Sequence, residues 1–342
     1  SNGFFADKAG KSEQPRRSRS DEGNAFGLQS STKPLDLPSK QEDRIIKDSL
    51  ITMQKQTYKD LNRVTPSIWH KSHIVDIADT FTELILLQST RKDKREQVKE
   101  KEKEYTDGEY TNEEYTSDEE QQIEQEQVKS TSIVQAGKPA SLTEVLGLIK
   151  STDACKVLIT GKGGMGKTTL LKYIAYQWAT DDKHVFADKL LFLMNIREIK
   201  ECVKFLDIIM EKIDSNAIIK KNDLNGPDSV EKFLVKHDKE VVIFLDGYDE
   251  LETNTKDPLD LFKGSELQKS TVVITSRPDN TYDLINCCDV HIEVKGFSPR
   301  NIKKYIQKHF HSIGATKYGE SLIKEFKLDS EYLNCAHLHC YC

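Results

Sequence analysis

No apolar run among the 342 residues approaches the roughly 18 that a bilayer-spanning helix needs. The opening SNGFFADKAGK lacks the longer apolar core of a secretory signal, so a cytoplasmic chain is expected, with no membrane partner. Basic charge is in short supply too. Lys and Arg number 50 against 56 Asp and Glu, a formal net charge of -6, and no concentrated basic face stands out, so nucleic acid is not an expected partner. Cysteine is scarce and odd in number: seven, irregularly spaced, fit reduced thiols better than a disulfide framework. The terminal CAHLHCYC gathers Cys335, His337, His339, Cys340 and Cys342, all zinc-ligand types, at a spacing that matches no zinc pattern. Apolar residues are limited as well. A composition 37% hydrophobic and 31% charged is too polar for a chain packed throughout, so part of it is expected to stay solvated.

What is present divides the chain into four. Residues 1–40 are rich in Ser, Lys, Arg and Gly without periodicity and read as a leader. In residues 41–90 the three-and-four spacing of Ile74, Ile77, Phe81 and Leu84 predicts one face of a helix, with Trp69 packed beside it. Residues 91–140 are first mixed in charge and then strongly acidic, too poor in aliphatic residues to offset an ordering entropy of about 1–2 kcal/mol per residue. That stretch reads as a tether. Within it EYT recurs around Tyr105, Tyr110 and Tyr115, exposed tyrosines that phosphorylation would charge further.

Order is expected over residues 141–342. SLTE is a capping box, Ser141 and Glu144 launching a helix through Leu146 and Ile149. Five short apolar runs follow, Lys156–Thr160, Leu190–Asn195, 241–245, 272–275 and Val290–Val294, separated by helix-length segments. That alternation predicts an α/β fold with a five-stranded parallel sheet covered on both faces. After the last run, Ser298 and Pro299 have the residue types of an N-cap and a first helical position.

The chemistry concentrates at the carboxyl ends of three runs. GKGGMGKTTL, following KVLIT, fits G-x-x-x-x-G-K-[ST], the phosphate-cradling P-loop between a strand and a helix. Gly161, Lys162, Gly163, Gly164, Met165, Gly166, Lys167, Thr168 and Thr169 are therefore the expected nucleotide contacts. Lys167 should reach the β- and γ-phosphates and Thr168 should ligate Mg2+. VVIFLDGYDEL delivers Asp246 as a second magnesium ligand, followed by Asp249 and Glu250, either of which could orient or deprotonate an attacking water. TVVITSRPD ends in Arg277, placed to contact a γ-phosphate. Absence of an N-K-x-D guanine signature favours adenine, so ATP or ADP with Mg2+ are the expected cofactors.

A second phosphate rule competes, because Lys162-Gly163-Gly164 also opens a deviant loop of the partitioning-ATPase kind. Deviant loops place their strand directly beside the acid strand. Here KLLFLMN lies between the two in sequence and is expected to supply the inserted strand of an additional-strand sheet, which makes Lys167 the working lysine.

Together GKGGMGKTTL, FLDGYDEL, TSRP and VKGFSPRNIKKYIQKHF resemble the NACHT domains of STAND P-loop NTPases, in the style of NOD-like receptors, over residues 142–326. The resemblance implies an ATP- or ADP-binding switch that opens on exchange and self-assembles, with itself or related NACHT proteins, in innate immune or cell-death signalling. Hydrolysis would be slow and regulatory. It also implies a fragment, C-terminally incomplete, because EYLNCAHLHCYC offers no lid proline and no winged-helix unit follows. Two alternatives stand beside it: a nucleotide-incompetent scaffold, and a turnover ATPase of the deviant-loop or another kind.

Overall fold

The structure is a computed structural model that describes residues 39–64, 74–91, 137–153, 155–199, 204–213, 215–222, 226, 228–251 and 259–328. All of them fall in the unit spanning residues 36–342. Trp69, the three EYT repeats and the terminal Cys/His cluster lie outside the described residues.

The parallel strands are β5 (Lys156–Thr160), β6 (Leu190–Asn195), β7 (Val241–Asp246), β8 (Thr271–Ser276) and β9 (Val290–Val294). They lie where the apolar runs predict them. Strands β1 (Arg63–Val64) and β2 (Val75–Asp76) pair with each other, whereas β3 (Leu86–Thr90) and β4 (Lys138–Ala140) extend the main sheet. The helices among the described residues are α1 (Ser39–Lys59), α2 (Ile77–Thr80), α3 (Leu142–Ser151), α4 (Lys167–Thr180), α5 (Phe205–Lys212) and α6 (Ser215–Asn222), then α7 (Asp228–Lys236), α8 (Leu259–Phe262), α9 (Tyr282–Cys287), α10 (Pro299–Ser312) and α11 (Thr316–Leu328).

In space the main sheet runs β4-β3-β9-β5-β8-β7-β6. The α/β class and its parallel heart are as expected, but among the described residues the sheet has seven strands, the five parallel ones and two antiparallel additions. Strand β3 pairs antiparallel with β9, and β4 pairs antiparallel with β3. The inserted strand is also different. KLLFLMN forms β6 at the outer edge, and β8, the strand that ends before Arg277, separates β5 from β7. The additional-strand arrangement therefore stands, supplied by another strand.

Ile74, Ile77, Phe81 and Leu84 do not form one helix. Only the turn of α2 is helical; Phe81 is extended (φ -53°, ψ 131°) and the chain then enters β3. The apolar spacing still does a packing job, since Phe81 and Leu84 lie against the core and the Phe81 ring stacks on Tyr173 at 3.5 Å between centroids.

Period-two alternation within the strands builds two cores. Leu190, Phe192, Ile243 and Ile274 face one layer with Ile46 and Leu50 of α1, while Leu191, Phe244, Val273 and Ile159 face the other with Trp178 and Leu171 of α4. The predicted caps form. Ser141 accepts from the Glu144 amide, whose side chain returns to the Ser141 amide, and Ser298 accepts from Asn301 with Pro299 opening α10.

The exposed edge of β6 is blunted by Tyr58. Its hydroxyl donates to the Leu191 carbonyl (3.1 Å) and accepts from the Leu193 amide (2.7 Å), and the ring meets Trp178 edge-on. Burial pushes this phenol far above the usual tyrosine range. Tyr58→Phe leaves the buried Leu191 carbonyl and the part-buried Leu193 amide without this partner, so we expect a loss of about 1–3 kcal/mol in urea denaturation. Retention of full stability would show that water satisfies both groups.

His184 gives a pH signature. Its Nδ1 accepts from the Phe186 amide at 3.2 Å, which requires that nitrogen unprotonated, and burial pushes its pKa down to about 4 against the pull of Asp181. The unfolded chain, with an ordinary histidine value near 6.5, binds more protons across that window. Stability from this group is therefore complete above about pH 6.5 and lost as pH falls towards 4. A urea midpoint followed from pH 7 to 4 should fall more steeply in the wild type than in His184→Gln.

Candidate functional site

The loop 161–166 leaves β5 at its carboxyl end and enters α4 at Lys167. Gly164 (φ 75°) and Gly166 (φ 88°) take the left-handed conformation, and Gly166 is the N-cap of α4. A side chain at Gly161 would place its Cβ 2.9 Å from the Val294 carbonyl oxygen, so the loop lies directly on the end of β9. Met165 turns inward and is buried, while Lys162, Gly163, Gly164, Thr168 and Thr169 are exposed. The first-turn amides of α4 and its partial positive charge open onto the cradle.

Lys167 folds back over the loop, its Nζ donating to the carbonyls of Gly161 (2.5 Å) and Lys162 (3.1 Å). Burial pushes this ammonium below the ordinary lysine range. Asp249, Asp246 and Glu250 pull it back up, and Arg277 adds to the downward push. Lys167 thus lies within electrostatic reach of all four.

Asp246 is the last residue of β7 and is 9% exposed. Its Oδ1 accepts the Thr275 hydroxyl at 2.6 Å, and the same hydroxyl accepts the Gly247 amide at 2.9 Å. One buried threonine therefore fixes both the acid and the turn that follows. Gly247 is left-handed (φ 86°), which disfavours any side chain, and a Cβ there would meet the Glu250 carboxylate at 2.9 Å and require it to shift.

The two displaced acids are each held by an arginine. Asp249 accepts from the Arg277 side chain (Nε, 2.9 Å) and from the Arg277 amide (3.0 Å). Glu250 takes Arg197 in a two-pronged contact, Nη2 at 2.7 Å and Nε at 2.5 Å. Arg277 also lies over the loop, its Cζ 4.0 Å from where a Cβ at Gly163 would stand. The structure therefore brings Lys167, Asp246, Asp249, Glu250 and Arg277 to one edge of the sheet, beside the glycine cradle.

Thr275 and Arg197 are the additions that sequence reasoning missed. Thr275 is the penultimate residue of an apolar strand, one place beyond the Leu245–Ile274 pair, and so stands next to Asp246. Arg197 follows Asn195, which pairs with Asp246 and accepts the Arg197 amide through its side chain.

These residues suit a polyphosphate with a divalent cation. The cradle offers backbone amides and a cation, and Thr168 Oγ1 and Asp246 are oxygen donors of the kind Mg2+ takes. Among the described residues no group of three or more His, Cys, Asp or Glu could hold a metal alone. A cation here would draw its remaining ligands from phosphate and water.

Thr275→Val keeps the volume and removes the hydroxyl, stranding the Gly247 amide. We expect a loss of about 1–3 kcal/mol in denaturant unfolding, restored in large part by Thr275→Ser. Equal stability of the valine variant and the wild type would show that this link contributes nothing.

Residues 156–312 match the family model of the NACHT domain. The chain is 25% identical over 178 residues to protein NLRC5 of Ictalurus punctatus, covering 46% of this chain and 10% of that protein. It is 29% identical over 172 residues to NLR family CARD domain-containing protein 4 of Xenopus tropicalis, covering 49% and 16%. To human nucleotide-binding oligomerization domain-containing protein 2 it is 26% identical over 219 residues, covering 56% and 20%. The chain thus spans a fifth or less of the length of these relatives.

Proposed function

We propose, from the premise that this chain carries a NACHT domain of the NOD-like receptor type, that it is an ATP-dependent signalling switch whose nucleotide state governs self-association. The observation that carries the reading is the meeting of Lys167, Asp246 and Arg277 beside the glycine loop at the carboxyl ends of β5, β7 and β8. The printed name of one relative, nucleotide-binding oligomerization domain-containing protein 2, joins the same two properties.

In this reading Lys167 leaves the carbonyls of Gly161 and Lys162 to bind the terminal phosphates, helped by the amides of residues 163–168. Thr168 and Asp246 would hold Mg2+. A bound MgATP supplies a γ-phosphoryl group that water can attack. Arg277 exchanges Asp249 for the terminal phosphate, and the freed carboxylate then orients water, whereas Glu250 stays on Arg197. Turnover is slow because each acid starts in an ion pair. The switch acts by differential affinity for ATP and ADP, and its setting is cytoplasmic innate immune or cell-death signalling.

The test is a thermal shift with MgATP. A ligand at about 100 times its dissociation constant adds about 2.7 kcal/mol to the wild type. Lys167→Ala should abolish the shift. Arg277→Ala should keep MgADP binding but lose most of the preference for MgATP. An undiminished shift in Lys167→Ala removes the proposal, and rapid turnover by a strict monomer in light scattering favours the turnover-ATPase alternative.

A further inference from the structure

At the amino ends of the parallel strands, opposite the glycine loop, lies a second polar hollow of about 250 Å³. Lys150, Lys189, Lys239 and Lys269 line it, against Asp153 as the one lining acid. Two further acids stand nearby. Asp188 contacts Lys150 at 3.5 Å, and Asp238 accepts the backbone amide of Lys269 at 3.0 Å. Lys189 spends a donor on the Lys239 carbonyl. The ammonium groups of Lys239 and Lys269 have no hydrogen-bond or ion-pair partner among the described residues, and both side chains are exposed.

More positive charge lies behind the floor. Lys156 is buried with its Nζ on the Ser270 carbonyl at 2.8 Å, between the floor residues Lys269 and Thr271, and the buried Ser270 hydroxyl has no partner among the described residues. Burial pushes the Lys156 pKa down to about 8 in spite of Asp289, the sign of a cation only partly compensated. The lining lysines outnumber the one lining acid, while Asp188, Asp238 and Asp289 offset part of the charge from outside the lining, so in a chain of net charge -6 the hollow itself presents a basic surface.

The backbone carries the argument to an occupant. Arg91 donates its amide to the Asp289 carbonyl, Asp289 donates to Lys156, and Val272 donates to Cys155. These bonds run in a row across the amino edge of the sheet, so the end of β3 and the lysine hollow share that edge. Three strand spacings of about 4.8 Å separate Arg91 from the start of β8, roughly 14 Å. At the other end, Lys138 of β4 pairs with Gln88 of β3, so the chain also returns at this edge.

Positions 92–136 connect these two points. Within them, residues 104–126 hold ten acidic side chains and no Lys or Arg. Twelve residues, the number from 92 to 103, can span at most about 40 Å, more than the lateral distance.

We propose that the lysine-ringed hollow at the amino edge of the sheet is a docking site for this chain's own acidic stretch, residues 104–126. Each lysine–carboxylate contact is a surface pair and weak alone, but tethering holds the acids at an effective concentration on the order of millimolar, which makes modest affinity sufficient. The contact is salt-sensitive and independent of the nucleotide reading.

Zero-length carbodiimide coupling of the full 342-residue chain, mixed from isotopically light and heavy preparations, tests it. Carboxylates of residues 104–126 should link to Lys239 and Lys269 within one chain, with yield falling at least about five-fold in roughly 0.5 M salt. In Lys239→Glu/Lys269→Glu, with an unchanged circular dichroism spectrum, links to Lys150 and Lys189 should fall at least as much. Links spread over lysines remote from this edge, links joining light to heavy chains, or no links at all would each overturn the proposal. Displacement of the stretch only by added inorganic polyphosphate, with no coupling in its absence, would overturn it too and point to a free anion as occupant.

Discussion

Register between neighbouring parallel strands decides where every charged group of the candidate site stands. Thr160 pairs with Ser276, Leu245 with Ile274 and Asn195 with Asp246, so the glycine loop, Arg277, Asp246 and Arg197 all emerge at one level. A slip of one residue in β7 would turn Asp246 to the opposite face and part it from Thr275. The apolar faces resist that slip, because β5 and β7 are buried along their whole length and each of their apolar side chains is committed to one of the two cores. Hydrophobic packing thus sets the position of the polar chemistry to within a hydrogen bond.

On that frame the charges are arranged in compensated groups. Two arginines hold two carboxylates, one threonine holds the third, and the lysine rests on loop carbonyls. Each contact is individually replaceable, but the set is closed: a new anion has to displace an existing partner. The Arg197–Glu250 pair has matched two-pronged side-chain geometry, whereas the Arg277 side chain gives Asp249 a single Nε contact and leans over the loop, so Arg277 is the arginine that stands nearer the glycine cradle. The geometry separates two acids that are equivalent as letters.

The five parallel strands were legible because each is a short apolar run bounded by polar residues, and both caps were legible because their signals are local. Strand order was not, since nothing in the letters of KLLFLMN or TVVITS says which lies beside KVLIT. Strand β3 was hidden for a different reason. LLQST is half polar and its neighbours are β9 and β4, distant in sequence, and β4 itself contains Pro139. The helix read into Ile74–Leu84 came from apolar spacing that the fold satisfies with one helical turn and an extended segment. Of the site, the loop, the acids and Arg277 could be named from motif and strand ends; Thr275 and Arg197 needed the pairing of strands before they joined it.

The part of the chain that matches the domain family begins at the first residue of β5, but the folding unit does not. Helix α1 seals one sheet face through Ile46 and Leu50, Tyr58 occupies the outermost strand's unpaired backbone, and β3 covers the flank of β9. Dissection at the start of the family match would leave two raw sheet margins and a bare apolar layer open to neighbouring molecules. The segment upstream of the phosphate loop is therefore best regarded as the domain's own casing, and a working expression boundary lies before Ser39.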